Sequence, residues 1–262
     1  MNTWMKKNIK ILILIYSILF VTVIPIKALE VDTHEAINKH IAKNAFNGFS
    51  FDQYLKNQLG IQEGKDTLIN NKEIIKWFGD GGKMEDKPGG WCIPYWRSRN
   101  HFHNPIDNRG FSGWWDTGFL SGMSIIDWAL QPLNSQYCGY YSWNDARSYY
   151  YKALTDPDED SRENNFAETF RALGQIMHLV QDVSVPEHVR NDGHYFAFDY
   201  EKWVDKPANR KKINNYTLES HDYFSANTDP KSAIDFYKGV ILALSNKKSA
   251  KRTKNAYYKP LH

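Results

Sequence analysis

The chain has 262 residues, 42% of them hydrophobic and 15% aromatic, with a formal net charge of +3. Residues 1–28 hold four lysines (Lys6, Lys7, Lys10, Lys27) and no acid, so the remainder carries −1, which excludes a global cation field for polyanions. Two cysteines, Cys92 and Cys138, exclude a cysteine zinc framework; any zinc must use imidazole and carboxylate, and outside the cytoplasm the pair can form one disulfide.

In chain order, the three lysines at positions 6, 7 and 10 precede an apolar run, Ile11 to Ile26, that ends near Ala28. This is a charged segment, a hydrophobic segment and a small residue at a cleavage point. Residues 1–28 read as an export signal, with an uncleaved membrane anchor over 11–26 as the alternative, and residues 29–262 read as the mature domain. Val31 to about Asn47 reads as a helix capped by Asp32 or Thr33, with Ile37, Ile41 and Ala45 on one stripe, His34 in its first turn and His40 at the surface. Phe49 to Gln58 reads as a second helix. A third, from about Asn71 to Phe78, is expected to stop at Gly79-Asp80-Gly81-Gly82.

Residues 79–118 read as a long irregular stretch, of a kind that is usually functional. Residues 119–131 and 142–155 read as helices. Phe166, Phe170, Leu173, Met177 and Val180 then run at spacings of 4, 3, 4 and 3, the clearest amphipathic stripe in the chain. Tyr200 to Val204 begins another helix, and 231–245 reads as the last. A basic run near the end, Lys247 to Lys254, reads as a solvated tail, with anionic lipid or nucleic acid contact as its alternative. There is no repeat, no phosphate loop and no sustained alternation. The class is all-α.

The stripe helix carries His178 and Asp182, four residues apart and so on one face. Pro186 disfavours further helix, and His188 and His194 follow it. A single histidine on a helix is usually a packing residue, and His178 with Asp182 alone fits a surface pair. With His188 and His194 added, a metal site becomes the better reading. His34, His101 and His103 with Asp86 and Glu201 are the remaining candidates.

The pattern His178-xxx-Asp182-xxxxx-His188, with Pro186 two residues before the last histidine, resembles the zinc-dependent phospholipase C and single-strand-specific zinc nuclease superfamily. His101-Phe-His-Asn-Pro105 resembles that family's His-Phe-x-Asp-Pro segment, with Asn104 in place of Asp. Thr33-His34-x-x-Ile37 resembles its first histidine. The resemblance runs from about Leu29 to Val204. It implies an all-helical fold, a single domain around three Zn2+ ions, and hydrolysis of phosphoric diesters. It implies His101 and His178 on one zinc with Asp182 bridging, and His188, His194 and a carboxylate on a second. His34 and the mature N-terminus would hold the third, with Asp182 shared. That terminus would be Leu29, acting through backbone atoms after cleavage at Ala28. Asp86, fifteen residues before His101, takes the place of the family's ligand and general base, with Glu85 and Asp80 as lesser substitutes.

Three departures from the family pattern matter, the first being Leu29 where the family's mature chain begins with a zinc-binding Trp. Phe198 stands where the family's last ligand is usual, so Glu201 is chosen and Asp199 held in reserve. No C-terminal membrane-binding domain has room here. The resemblance implies a monomeric phospholipase C-type enzyme acting on a phospholipid, with transient membrane-surface contact through Trp91, Trp96, Trp114 and Trp115 unless those rings are core. A nuclease, in which such rings stack on bases, is the alternative, and a non-catalytic zinc-binding module is the third. Arg190 is a candidate phosphate contact, and His103 a candidate partner behind the ligands.

Overall fold

The amphipathic stripe belongs to the longest helix among the described residues, Glu159–Asp182. The computed structural model describes residues 29–46, 48–113, 117–191, 203–204 and 206–213. The expected signal segment, the helix at 231–245 and most of the one expected from Tyr200 lie outside them. In chain order the helices are α1 (Val31–Lys43), α2 (Phe51–Asn57), α3 (Ile74–Met84), α4 (Tyr95–Ser98), α5 (Ile125–Ala129), α6 (Trp143–Thr155), α7 (Glu159–Asp182), α8 (Pro186–Val189) and α9 (Pro207–Ile213). Two hairpins of two-residue strands, Ala45–Phe46 with Phe49–Ser50 and Leu68–Ile69 with Lys72–Glu73, are the only sheet among these residues. The protein is mostly helical, as its hydrophobic periodicity requires. No described helix is long and apolar enough to cross a membrane.

Both long helices of the second half start on side-chain caps. Asp158 accepts from Ser161 N at 2.8 Å before α7, and Ser142 and Asp145 form a reciprocal capping box before α6, each satisfying amides that a helix start leaves unpaired. α7 is the spine: α3 and α6 pack along it, and α1 packs on α3. Phe170, with Leu55, Ile69 and Ile74, forms a core under its first half. Leu179, with Ile125 and Trp128, forms another near its end.

The glycines that read as a stop lie inside α3. None of Gly79, Gly81 and Gly82 has a positive φ, the conformation through which glycine ends a helix. They are there for contact. A Cβ on Gly81 would stand 2.1 Å from the Arg171 carbonyl oxygen, and one on Gly174 would stand 2.2 Å from that of Phe78. α3 and α7 therefore cross backbone to backbone. Asn38 of α1 fills the junction, its Nδ2 donating to the carbonyls of Phe78 and Gly174, both at 3.0 Å.

The same junction reverses the expected face of α1. Its buried residues are Val31, Thr33, His34, Asn38, His40 and Ala42, while Ile37 and Ile41 are half-buried and Ala45 is exposed. His40 is thus inside and not at the surface, with Nδ1 3.2 Å from Asn44 Nδ2. Neither Asp32 nor Thr33 caps the helix, because the N-cap is Glu30. The helix stops at Lys43, since Asn44 turns extended into the first hairpin.

The irregular region also differs from expectation. α3 takes its first six residues, and α4 lies within it. Of the expected 119–131 helix only Ile125–Ala129 forms. Leu120 has φ +58, which a helix cannot pass through, and Ser124 caps the shorter helix by accepting from Ile126 N at 3.2 Å. Cys92 and Cys138 are joined as a disulfide, tying the loop after α3 to the loop before α6. Pro186 starts a helix: it is the first residue of α8, where its missing N–H costs nothing.

Candidate metal centre

Five side chains converge where α1, the end of α3, α4's following loop and the last turn of α7 meet. His34, Asp86, His101, His178 and Asp182 are each 4% exposed or less. Two triads can each hold a metal ion: His34, His178 and Asp182, and Asp86, His101 and His178, with ligand atoms inside 4.8 Å of one another. Asp182 sits between the rings. Its Oδ1 lies 3.3 Å from His34 Nε2, and its Oδ2 lies 3.2 Å from His178 Nε2 and 2.8 Å from His101 Nδ1. Asp86 closes the other side, with Oδ1 3.6 Å from His101 Nδ1 and Oδ2 3.9 Å from His178 Nε2. The His34 and His178 rings stack at 3.6 Å.

The proton positions on two rings follow from a series of forced orientations. Asn38 Nδ2 faces two main-chain carbonyls, which only accept, so Asn38 Oδ1 must accept. It does so from Gln181 Nε2 at 2.7 Å. Gln181 Oε1 is then the acceptor toward His34 Nδ1, at 2.8 Å, so His34 carries its proton on Nδ1. His178 Nδ1 donates to the Gly82 carbonyl at 2.6 Å. Both rings present a bare Nε2 to the centre.

Among the described residues, His34 Nε2, His178 Nε2, both nitrogens of His101 and all four carboxylate oxygens of Asp86 and Asp182 are buried without a hydrogen-bond partner. Buried polar atoms are nearly always paired, and a group of acceptors facing one another costs several kcal/mol unless a cation neutralises it. The donor set is imidazole nitrogen and carboxylate oxygen, which suits a borderline divalent cation such as zinc. The residues fit a metal.

The electrostatics say the same. Burial alone would lower His101, but Asp182 and Glu85 beside it raise it to about 10. Burial likewise opposes the charge on Asp182, and the neighbouring His178, His188 and His101 hold its carboxyl well below the usual range. His34 goes the other way, pushed down by burial and by His178. The carboxylates thus favour a proton on His101, the kind of charge a cation would replace.

A second cluster abuts the first. Glu85, adjacent to Asp86 in the chain, accepts from Arg97 Nη2 at 2.6 Å and from Trp128 Nε1 at 2.9 Å. Arg97 also donates to Gln175 Oε1, Gln136 Oε1 and the carbonyls of Tyr137 and Gly139. Burial opposes the Glu85 charge, and Arg97 and His101 hold its carboxyl far below the ordinary range.

No family model, curated protein or solved structure matches this chain. The chemistry of the centre rests on its own geometry.

Of the nine expected ligands, the structure brings together His34, Asp86, His101, His178 and Asp182. His34 shares a triad with His178, where a separate zinc was expected for it. His188 is outside both triads but adjacent: it is buried, its Nδ1 lies 2.5 Å from the His101 carbonyl oxygen, and its ring stacks on Phe102. Leu29 is a core residue packed with Val185, Ile37 and Val204, close to the segment that carries His188. His194, Glu201 and the reserve Asp199 lie outside the described residues.

The substitutes for Asp86 have other roles. Asp80 pairs with Lys72 at the surface, and Glu85 belongs to the arginine cluster. His103 bonds Ser124 Oγ at 2.8 Å through Nδ1, behind the ligands. Arg190 lies 3.6 Å from Glu187. Trp91 is 92% exposed, whereas Trp96 packs on Tyr95, Phe102 and Phe111; Trp114 and Trp115 are outside the described residues. Gln181 and Asn38 were missed. A signal existed for Asn38, which stands four residues after His34 on the same helix face. Arg97 and Gln175 carried none, since their partners are distant in sequence.

Proposed function

We propose that this protein is an exported zinc-dependent phosphoric diester hydrolase of the phospholipase C type. The observation that carries the reading is the convergence of bare imidazole nitrogens and unpaired carboxylates in the interior of the fold, on the residues that resemble the family's ligands. His34, Asp86, His101, His178 and Asp182 would hold the metal, joined by His188 and by the ligands expected beyond it. Bound zinc supplies Lewis acidity toward phosphoryl oxygen and acidifies water to near neutrality. Asp182 belongs to one triad, and its Oδ2 lies 2.8 Å from His101 of the other, which makes it the bridging candidate. Asp86 has both oxygens facing the centre and no other partner, so it can take a proton from attacking water. Gln181, Asn38 and the Gly82 carbonyl fix the rings.

The disulfide supports export, since such bonds persist in oxidising compartments. Exposed Trp91 supports contact with a lipid surface. The test is metal analysis of the purified mature protein, followed by parallel assays on phosphatidylcholine vesicles and single-stranded DNA. Release of a phosphorylated headgroup is expected. Cleavage of DNA alone would select the nuclease, and no activity on either substrate with zinc bound would leave a metal-holding module.

A further inference from the structure

His101 is turned the opposite way from its neighbours. His34 and His178 anchor Nδ1 and present Nε2, whereas His101 points Nδ1 at Asp182 Oδ2 (2.8 Å) and Asp86 Oδ1 (3.6 Å). Its Nε2 lies 3.4 Å from Glu85 Oε1. We propose that Glu85 is a positioning residue for the centre, one whose negative charge beside Nε2 keeps the His101 proton there and so makes Nδ1 the ligand atom. The inference rests on the metal-centre reading and not on the phosphodiester chemistry.

The surroundings of Glu85 fit that role. A carboxylate beside a cation site would compete to bind the cation. Glu85 is prevented from doing so, because Arg97 Nη2 holds Oε2 at 2.6 Å and Trp128 Nε1 holds Oε1 at 2.9 Å. Only the remaining lone pair of Oε1 faces the ring. Arg97 is itself fixed by the carbonyls of Tyr137 and Gly139 at 2.8 and 3.1 Å, the two residues flanking Cys138 of the disulfide. A continuous series of contacts runs from the disulfide through Arg97 and Glu85 to the ligand ring. A carboxylate behind a ligating imidazole fixes its tautomer and raises its basicity. The neighbouring Asp86, two-sided and unpaired, is left to the metal.

The decisive measurement is on the wild-type chain, loaded with zinc and labelled with 15N histidine. Long-range proton–nitrogen correlation should show His101 metallated on Nδ1 and protonated on Nε2, with His34 and His178 the reverse. His101 metallated on Nε2 would overturn the proposal and leave the metal centre standing. Failure to bind any zinc would overturn both. Glu85→Gln should weaken zinc binding by about 10–100-fold, as loss of such partners does elsewhere. An unchanged zinc affinity in folded Glu85→Gln would reduce Glu85 to a packing role and overturn the proposal, and the correlation spectrum decides the matter if Glu85→Gln does not fold.

Discussion

Glu85 and Asp86 leave the end of α3 side by side and enter two clusters built on opposite rules. Around Glu85, each carboxylate oxygen meets a donor, and Arg97 spreads its donors over five acceptors. Around Asp86, carboxylate oxygens and bare ring nitrogens face one another, without a hydrogen-bond partner among the described residues. Both clusters are buried to the same degree, so burial does not separate them. What separates them is whether the chain supplies the counter-charge. A cluster that closes on itself holds the fold together, and one left open is shaped for a cation. Nature has placed them one residue apart, with His101 as the ring they share.

The comparison predicts that the two clusters respond differently to metal. The largest effect is expected from Arg97→Met, which leaves Glu85 charged and unpaired in the interior. It should cost about 3–5 kcal/mol, equally in excess zinc and in chelator, as read from denaturant unfolding. A loss that zinc rescues would erase the distinction between the clusters. Replacing both cysteines by serine should cost about 2–4 kcal/mol, again with or without metal. Retained zinc affinity in that variant would show that Arg97 holds its position without the disulfide.

Removing metal from the wild-type chain should lower stability by about 2.7 kcal/mol relative to zinc at a hundred times its dissociation constant. Asp182→Asn should lose that increment, because it removes a carboxylate oxygen from the donor set. If Asp182→Asn kept its full zinc complement, the carboxylate would not be a ligand. Gly174→Ala tests the frame that carries both clusters: overpacking at the α3–α7 crossing should cost about 1–3 kcal/mol and weaken zinc binding by displacing His178. The smallest effect belongs to Asp80→Asn at the surface. Its pair with Lys72 is partly solvated, so the loss should stay below about 1 kcal/mol, with no change in metal binding.

The residue pattern made the helical class legible, as well as α7 and five ligand candidates, because those signals are local. A 3.6-residue period and a four-residue His–Asp spacing are properties of a single helix. The glycines of α3 were misread for the same reason. In isolation Gly-Asp-Gly-Gly is a helix stop, and only the presence of Gly174 across the crossing makes it a packing surface. Pro186 shows the same ambiguity, since proline both ends one helix and starts the next. His40 and His34 lie on one helix and differ only in what α1 rests against.

By itself, then, the sequence determined which groups can bind a metal: histidines and carboxylates at helical spacing, in a chain without the cysteines to do it otherwise. It preferred Asp86 to Glu85 only through the spacing that the family resemblance implies, since two neighbouring acids have the same intrinsic chemistry. The tertiary structure decided between them, by bringing Arg97 and Trp128 to one and histidine rings to the other. The role of a buried carboxylate is set by the charge that meets it, and that charge arrives from a distant part of the chain.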